Sequence, residues 1–445
     1  MKKALPIHPL PESPGTPPGP ASQPAPWRFN RLFSAPHRLA FAAAALLFAL
    51  TGAWWAVAMV GHALGVAWPW SLPPAIAHGL LMGLGFMPMF FIGFLFTAGP
   101  KWLALPDVEA RRVAAPLALQ LAGWGVFLVA THAAFTPLAA ALGSAALGAA
   151  TLGWTLAVLR FARLVFASTV NDRVHAGTVL AAGIVGMVAL AISASGVAVE
   201  RYDVVRAATQ AALWGFIGVV FVTVSHRMIP FFTAAALPAL DAWRPLWLLV
   251  VFVAVLGIEA AVAMVEALWW PLPFALRAAQ VAVEAPAALL LLVLAVRWGL
   301  VQSLKVRLLA MLHVGFVWLG LALALSAISH ALLLASGGER SLGLAPLHAY
   351  TMGYLGSTLL AMVTRVSAGH SGRPLAADDF VWRLFLGLQG VVVLRVAIGA
   401  GAAAGIGEAP LPIALTAIGW ALVVVVWARR YIGWYGRPRV DGRRG

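Results

Sequence analysis

PLHAYTMGYLGSTLLAMVTRVSAGHSGRP, residues 346–374, sets the reading of the whole chain. It opens with His348, carries Met352 one helical turn later, runs through an apolar middle and closes on Arg365, His370 and Arg373. A helix rises about 1.5 Å per residue, so His348 to Arg365 covers about 25 Å, close to one bilayer core. One helix therefore carries ligand-type side chains to both membrane faces. An interfacial histidine and a set of anchoring cations would occupy the same places.

The rest of the chain is equally apolar: of 445 residues, 62% are hydrophobic and 10% charged, with mean hydropathy +0.92. A soluble protein of this length cannot hide that much apolar surface, so the fold class is an all-α polytopic membrane protein whose first partner is the lipid bilayer. The net charge of +15 does not indicate a nucleic-acid partner, because the basic residues lie between or outside the apolar runs, where they act as topology signals. With no cysteine, disulfides, thiolate metal sites and covalent c-type haem are excluded. Any metal must use His, Met, Tyr or carboxylate.

Membrane-length runs fall near 38–60, 75–98, 113–135, 138–159, 175–197, 207–229, 245–267, 274–296, 307–335, 346–366, 380–402 and 410–430, which predicts twelve helices. With an inner amino terminus, 25 basic residues fall on the inner side and four on the outer (Arg201, Arg206, Arg277, Arg340), while Arg395 lies within a helix. A wrong helix count would scramble that alternation, so both termini are expected inside. The domain reading is a Pro-rich disordered tail over 1–36, a twelve-helix domain over 37–432 and a basic tail over 433–445.

This topology sorts the histidines. His62, His78, His132, His330 and His348 lie toward the outer ends, and His175, His226, His313 and His370 toward the inner side. On the second span His78 precedes Met82-Gly83 as His348 precedes Met352-Gly353 on the tenth. In a regular helix i and i+4 share a face, so imidazole and thioether could address one centre, a pairing suited to haem iron or Cu(I). The sixth span ends in SHRMIPFFT (225–233), where Pro230 should break or bend the helix beside His226 and Arg227. His313 of the ninth span is expected at a depth similar to that of His226.

Buried charge is sparse. Arg277, Gln280 and Glu284 form one stripe on the eighth span, and Glu259 with Glu266 another on the seventh. Glu284 and Arg395 are candidates for proton or anion handling, or for holding a haem propionate; an interhelical ion pair is the structural alternative.

GFLFTAGPKW (93–102), RMIPFFT (227–233), LHVGFVWLG (312–320) and above all HAYTMGYLGSTLLAMVTRVSAGHSGRPL (348–375) resemble the NnrS family. The resemblance implies a twelve-helix bacterial inner-membrane protein that binds haem, non-covalent and b-type, and copper. It also implies protection against nitric oxide by binding, sensing or turning over that molecule, with a possible electron donor as partner. The family's HAHEM on the second helix places His78 first, with Leu80 and Leu81 where a histidine and a glutamate commonly stand. Its GGR before IPFFT is SHR here, which adds His226. The implied metal ligands are His78, Met82, His348 and Met352. Further cofactor contacts are expected from His226, His313, Arg365, His370 and Arg373.

A twelve-helix secondary transporter without metal is the alternative. No match relates residues 1–220 to 221–445, and the one internal similarity relates the second helix to the tenth, which a six-plus-six repeat does not produce. A haem–copper oxidase or nitric oxide reductase subunit needs adjacent histidine pairs, and no HH or HxH occurs.

Overall fold

The computed structural model describes residues 25–133, 136–406 and 409–443; the amino-terminal tail expected to be disordered lies outside the described residues as far as residue 24. In a bilayer every backbone polar group must find a partner within its own segment, and the described residues accordingly form helices and no strands. Among the described residues eleven helices are long and apolar enough to cross a membrane: α1 Pro36–Ala63, α2 Pro74–Trp102, α3 Arg111–Ala130, α4 Thr136–Ala167, α5 Val174–Ala198, α6 Tyr202–Ala236, α7 Leu246–Leu268, α8 Phe274–Arg297, α9 Arg307–Ala335, α11 Asp379–Gly401 and α12 Pro410–Tyr435. The twelfth expected span is α10, residues 345–370, helical in three consecutive pieces and outside that apolar group. It carries Tyr350, Tyr354, Ser357, Thr358, Thr364 and Ser367, all buried against other helices rather than facing lipid.

The helices fall into three sets of four. α4 packs on α5, α8 on α9 and α12 on α1, while α1 packs on α2, α5 on α6 and α9 on α10. The second member of each set, α2, α6 and α10, is interrupted by a π-helical stretch: Leu80–Gly85, Leu213–Gly218 and Ala349–Gly356. The most buried apolar windows belong to α2 and α6, at 83% each, against 28% for α11. α2, α6 and α10 therefore form the inner set, and the outer helices keep lipid-facing stripes such as Leu386, Val393 and Leu394.

The three π stretches meet. Tyr350 of α10 stacks on Trp214 of α6, ring centroids 4.0 Å apart, and its hydroxyl donates to the Leu213 carbonyl at 2.8 Å. A side chain at Gly218 would collide with that hydroxyl, and one at Gly83 would come within 3.1 Å of Leu213. The wider π turn leaves a carbonyl free to accept from a neighbouring helix, which is how a buried tyrosine is satisfied here. The chain ends are tied to this body at the His370 end. Trp27 donates to the Ile432 carbonyl at 3.1 Å, Arg28 N–H to Gly436 O at 2.8 Å, and Val440 N–H to Ser371 O at 3.0 Å.

α6 departs from expectation in one respect. It runs unbroken through Pro230 to Ala236, seated between other helices, so the proline costs a hydrogen bond without ending the helix.

Candidate functional site

His78 and His348 enter the bundle from the same end, each in the first turns of an inner helix that starts with proline, at Pro74 and Pro346. The imidazole of His78 lies over Trp55 of α1, ring centroids 4.0 Å apart, and its Nδ1 is buried without a protein partner. His348 donates from Nδ1 to the Leu344 carbonyl at 2.9 Å, which fixes the tautomer and leaves the Nε2 lone pair for another partner. Buried Arg395 of α11 acts electrostatically on both imidazoles. Two inner helices thus each carry an imidazole at the same end of the bundle, within reach of one cation.

The thioethers are arranged differently from a regular helix. Met82 and Met352 both lie within π stretches and pack against the apolar core. A turn with an extra residue rotates position i+4 away from the face that a regular α-helix would give it. Among the described residues no group of three or more His, Cys, Asp or Glu could hold a metal ion. The donors at this end are therefore the two imidazoles, with the two thioethers turned off their face, and not a three-histidine copper centre.

His226 and His313 differ from the sequence expectation. Nδ1 of His226 faces Nε2 of His175 on α5 at 3.0 Å, and its Nε2 faces the Pro245 carbonyl at 3.1 Å. Both ring nitrogens are engaged, so His226 has no lone pair for a metal without breaking one of these bonds. His313 bonds through Nε2 to Thr233 Oγ1 at 3.0 Å, and its Nδ1 is buried without a partner. Thr233 lies seven residues beyond His226 on α6, about 10 Å along the axis, so the two histidines are at different depths, contrary to expectation.

At the far end of α10, His370 packs on His37 of α1, ring centroids 4.3 Å apart, and His37 Nδ1 is buried without a partner. Lys101, Arg38 and Arg439 act on both rings. Arg38 donates to the Tyr435 and Arg437 carbonyls at 3.2 and 2.7 Å, completing the end of α12. The Arg373 guanidinium lies over Trp434 at 4.1 Å and that of Arg365 over Phe232 at 3.8 Å. Outside the spans, burial pushes the Asp378 carboxyl up, but its hydrogen bonds from Arg430 outweigh this and hold it below the usual range. Between α1, α2, α6 and α10 lies an apolar cavity of about 50 Å³, lined chiefly by Phe41, Phe90, Phe94, Phe221 and Met362.

Sequence reasoning missed Trp55, His37 and Tyr350, and left His175 as a member of the inner group with no role. No local spacing relates His37 to His370 or His175 to His226; only the packing of α1 on the end of α10, and of α5 on α6, does so. His132, by contrast, is fully engaged apart from this site, facing Trp54 Nε1 at 2.8 Å and the Pro69 carbonyl at 2.8 Å.

Among the described residues, twelve helices with three π-interrupted inner members define an all-α polytopic membrane protein. A family model described as NnrS protein matches residues 31–439, nearly the whole chain, and the chain belongs to the NnrS family. No curated protein matches it.

Proposed function

We propose that this protein binds haem and copper in the bacterial inner membrane and protects the cell from nitric oxide by capturing it at the metal centre. The observation that carries the reading is that His78 and His348, on two inner helices at the same end of the bundle, keep a free lone pair on His348 and an orphaned nitrogen on His78. These two residues would hold the haem, and the soft sulfurs of Met82 and Met352, on the adjoining π turns, would supply copper ligands apart from the imidazole face. Haem iron, when bound, supplies affinity for a diatomic ligand. The chain's own residues fix the imidazole tautomer through Leu344, stack His78 on Trp55 and keep the surroundings apolar. Further along α10, between His348 and His370, an apolar cavity with aromatic walls has room for a small apolar molecule such as nitric oxide. The excess of basic residues at the His370 end supports placing that end in the cytoplasm.

The test is the colour of the purified protein. His348→Ala is expected to lose or shift the haem absorption band while His132→Ala keeps it. A colourless, metal-free protein from haem-replete cells would sink the reading.

A further inference from the structure

A run of polar side chains outside the paired-histidine site crosses from the edge of the bundle into its interior. Glu266 of α7, 29% exposed, accepts from Arg277 of α8 at 2.7 Å. Arg277, 5% exposed, donates its other amino group to Gln280 Oε1 at 3.0 Å. Gln280 meets Glu259 of α7, Glu259 meets Glu284 of α8, and Glu284, with no exposed surface, accepts from His330 of α9 at 2.9 Å. All these residues lie toward the end of the bundle that carries His78 and His348, and Glu259 also acts on Tyr350 of α10. Arg206 of α6, bonded to the Ala267 carbonyl at 2.8 Å, is a further charge on this side.

The two central carboxyls do not close their hydrogen bonds. Oε1 of Glu259 and Oε1 of Glu284 are both buried without a donor. Arg277 spends its hydrogen bonds on Glu266 and Gln280 and acts on Glu284 only through space, so no cation is bonded to the Glu259–Glu284 contact among the described residues. Two carboxylates in contact in a low-dielectric interior cannot both be ionised, and a single proton between them supplies the missing donor. We propose that Glu259 and Glu284 form a proton-binding site that exchanges with the membrane face at the His348 end through Gln280, Arg277 and Glu266, with His330 as its neighbour on the inner side. An intramembrane carboxyl pair reached by a continuous polar path is the arrangement expected of a proton store, and a purely structural ion pair would not leave two orphaned oxygens.

Infrared difference spectroscopy of the full chain in lipid tests this. The expected result is a protonated-carboxyl band at neutral pH that shifts in D₂O and is lost in both Glu259→Gln and Glu284→Gln, since either amide supplies the donor that the proton provided. Absence of such a band in the unmutated protein, a measurement independent of how the variants fold, would overturn the proposal, as would its persistence in both variants. Gln280→Leu should slow entry of deuterium at the band several-fold; an unchanged rate would refute the route. The measurement involves neither metal nor nitric oxide, so its failure and the failure of the metal reading are separate results.

Discussion

The two ends of α10 carry histidine pairs in different surroundings. At one end His348 spends one nitrogen on a backbone carbonyl and keeps the other, beside a His78 whose Nδ1 has no protein partner. At the other end His370 packs against His37, whose Nδ1 is also without a protein partner, but three cations, Lys101, Arg38 and Arg439, act on that pair, and on α6 His226 has both nitrogens bonded. An unspent nitrogen makes a histidine a candidate ligand and surrounding cations disfavour a metal cation beside it, so residue type and depth alone do not separate the two groups.

The sharpest way to break this comparison is to remove each pair in turn. The double variant His78→Ala/His348→Ala should lose bound haem and copper entirely, whereas His37→Ala/His370→Ala should retain most of both, measured by haem stain and elemental analysis per mole of protein. Equal loss in both would erase the distinction between the ends.

The centre that joins the ends comes next. Gly218→Ala places a methyl group against the Tyr350 hydroxyl and should cost about 1 to 3 kcal/mol, lowering thermal stability in detergent, whereas Gly390→Ala, with open space around it, should change nothing measurable. A neutral Gly218→Ala would mean that the π stretches are not packed against each other as described.

His226→Gln should leave metal content unchanged and destabilise by about 1 kcal/mol, since His175 loses its partner in a buried site. Metal loss in this variant would restore His226 to the ligand set.

The smallest effect is at the tail. Asp441, hydrogen-bonded by Arg439, is held down to about 2, below the unfolded value of roughly 4. Its stabilisation is therefore complete above about pH 4 and disappears as the pH falls through about 2. Proteolysis of the carboxy-terminal segment should be unchanged between pH 8 and 5, and Asp441→Asn should have little effect because the pair is exposed.

Much of this was legible in the chain. Apolar run lengths and the alternation of basic residues gave the helices, because hydrocarbon thickness and backbone hydrogen bonding leave few other solutions. The motif around His348 gave the family. The likeness between the second and tenth helices was visible but had no explanation under a six-plus-six repeat. In three sets of four, those helices occupy equivalent places two sets apart, and both carry a π stretch after their histidine. The π stretches themselves left no readable signal, since an extra residue in a turn is decided by what packs against it, here Tyr350 on Trp214 and on the Leu213 carbonyl.

By itself, then, the sequence determined that this is a helical membrane protein of the NnrS family and that any metal chemistry does without thiolate, because composition and segment length are local properties. Only the tertiary structure decided which histidines keep a lone pair, which pair with each other, and that Glu259 meets Glu284. Those facts depend on contacts between helices far apart in the chain, and no spacing within one helix encodes them.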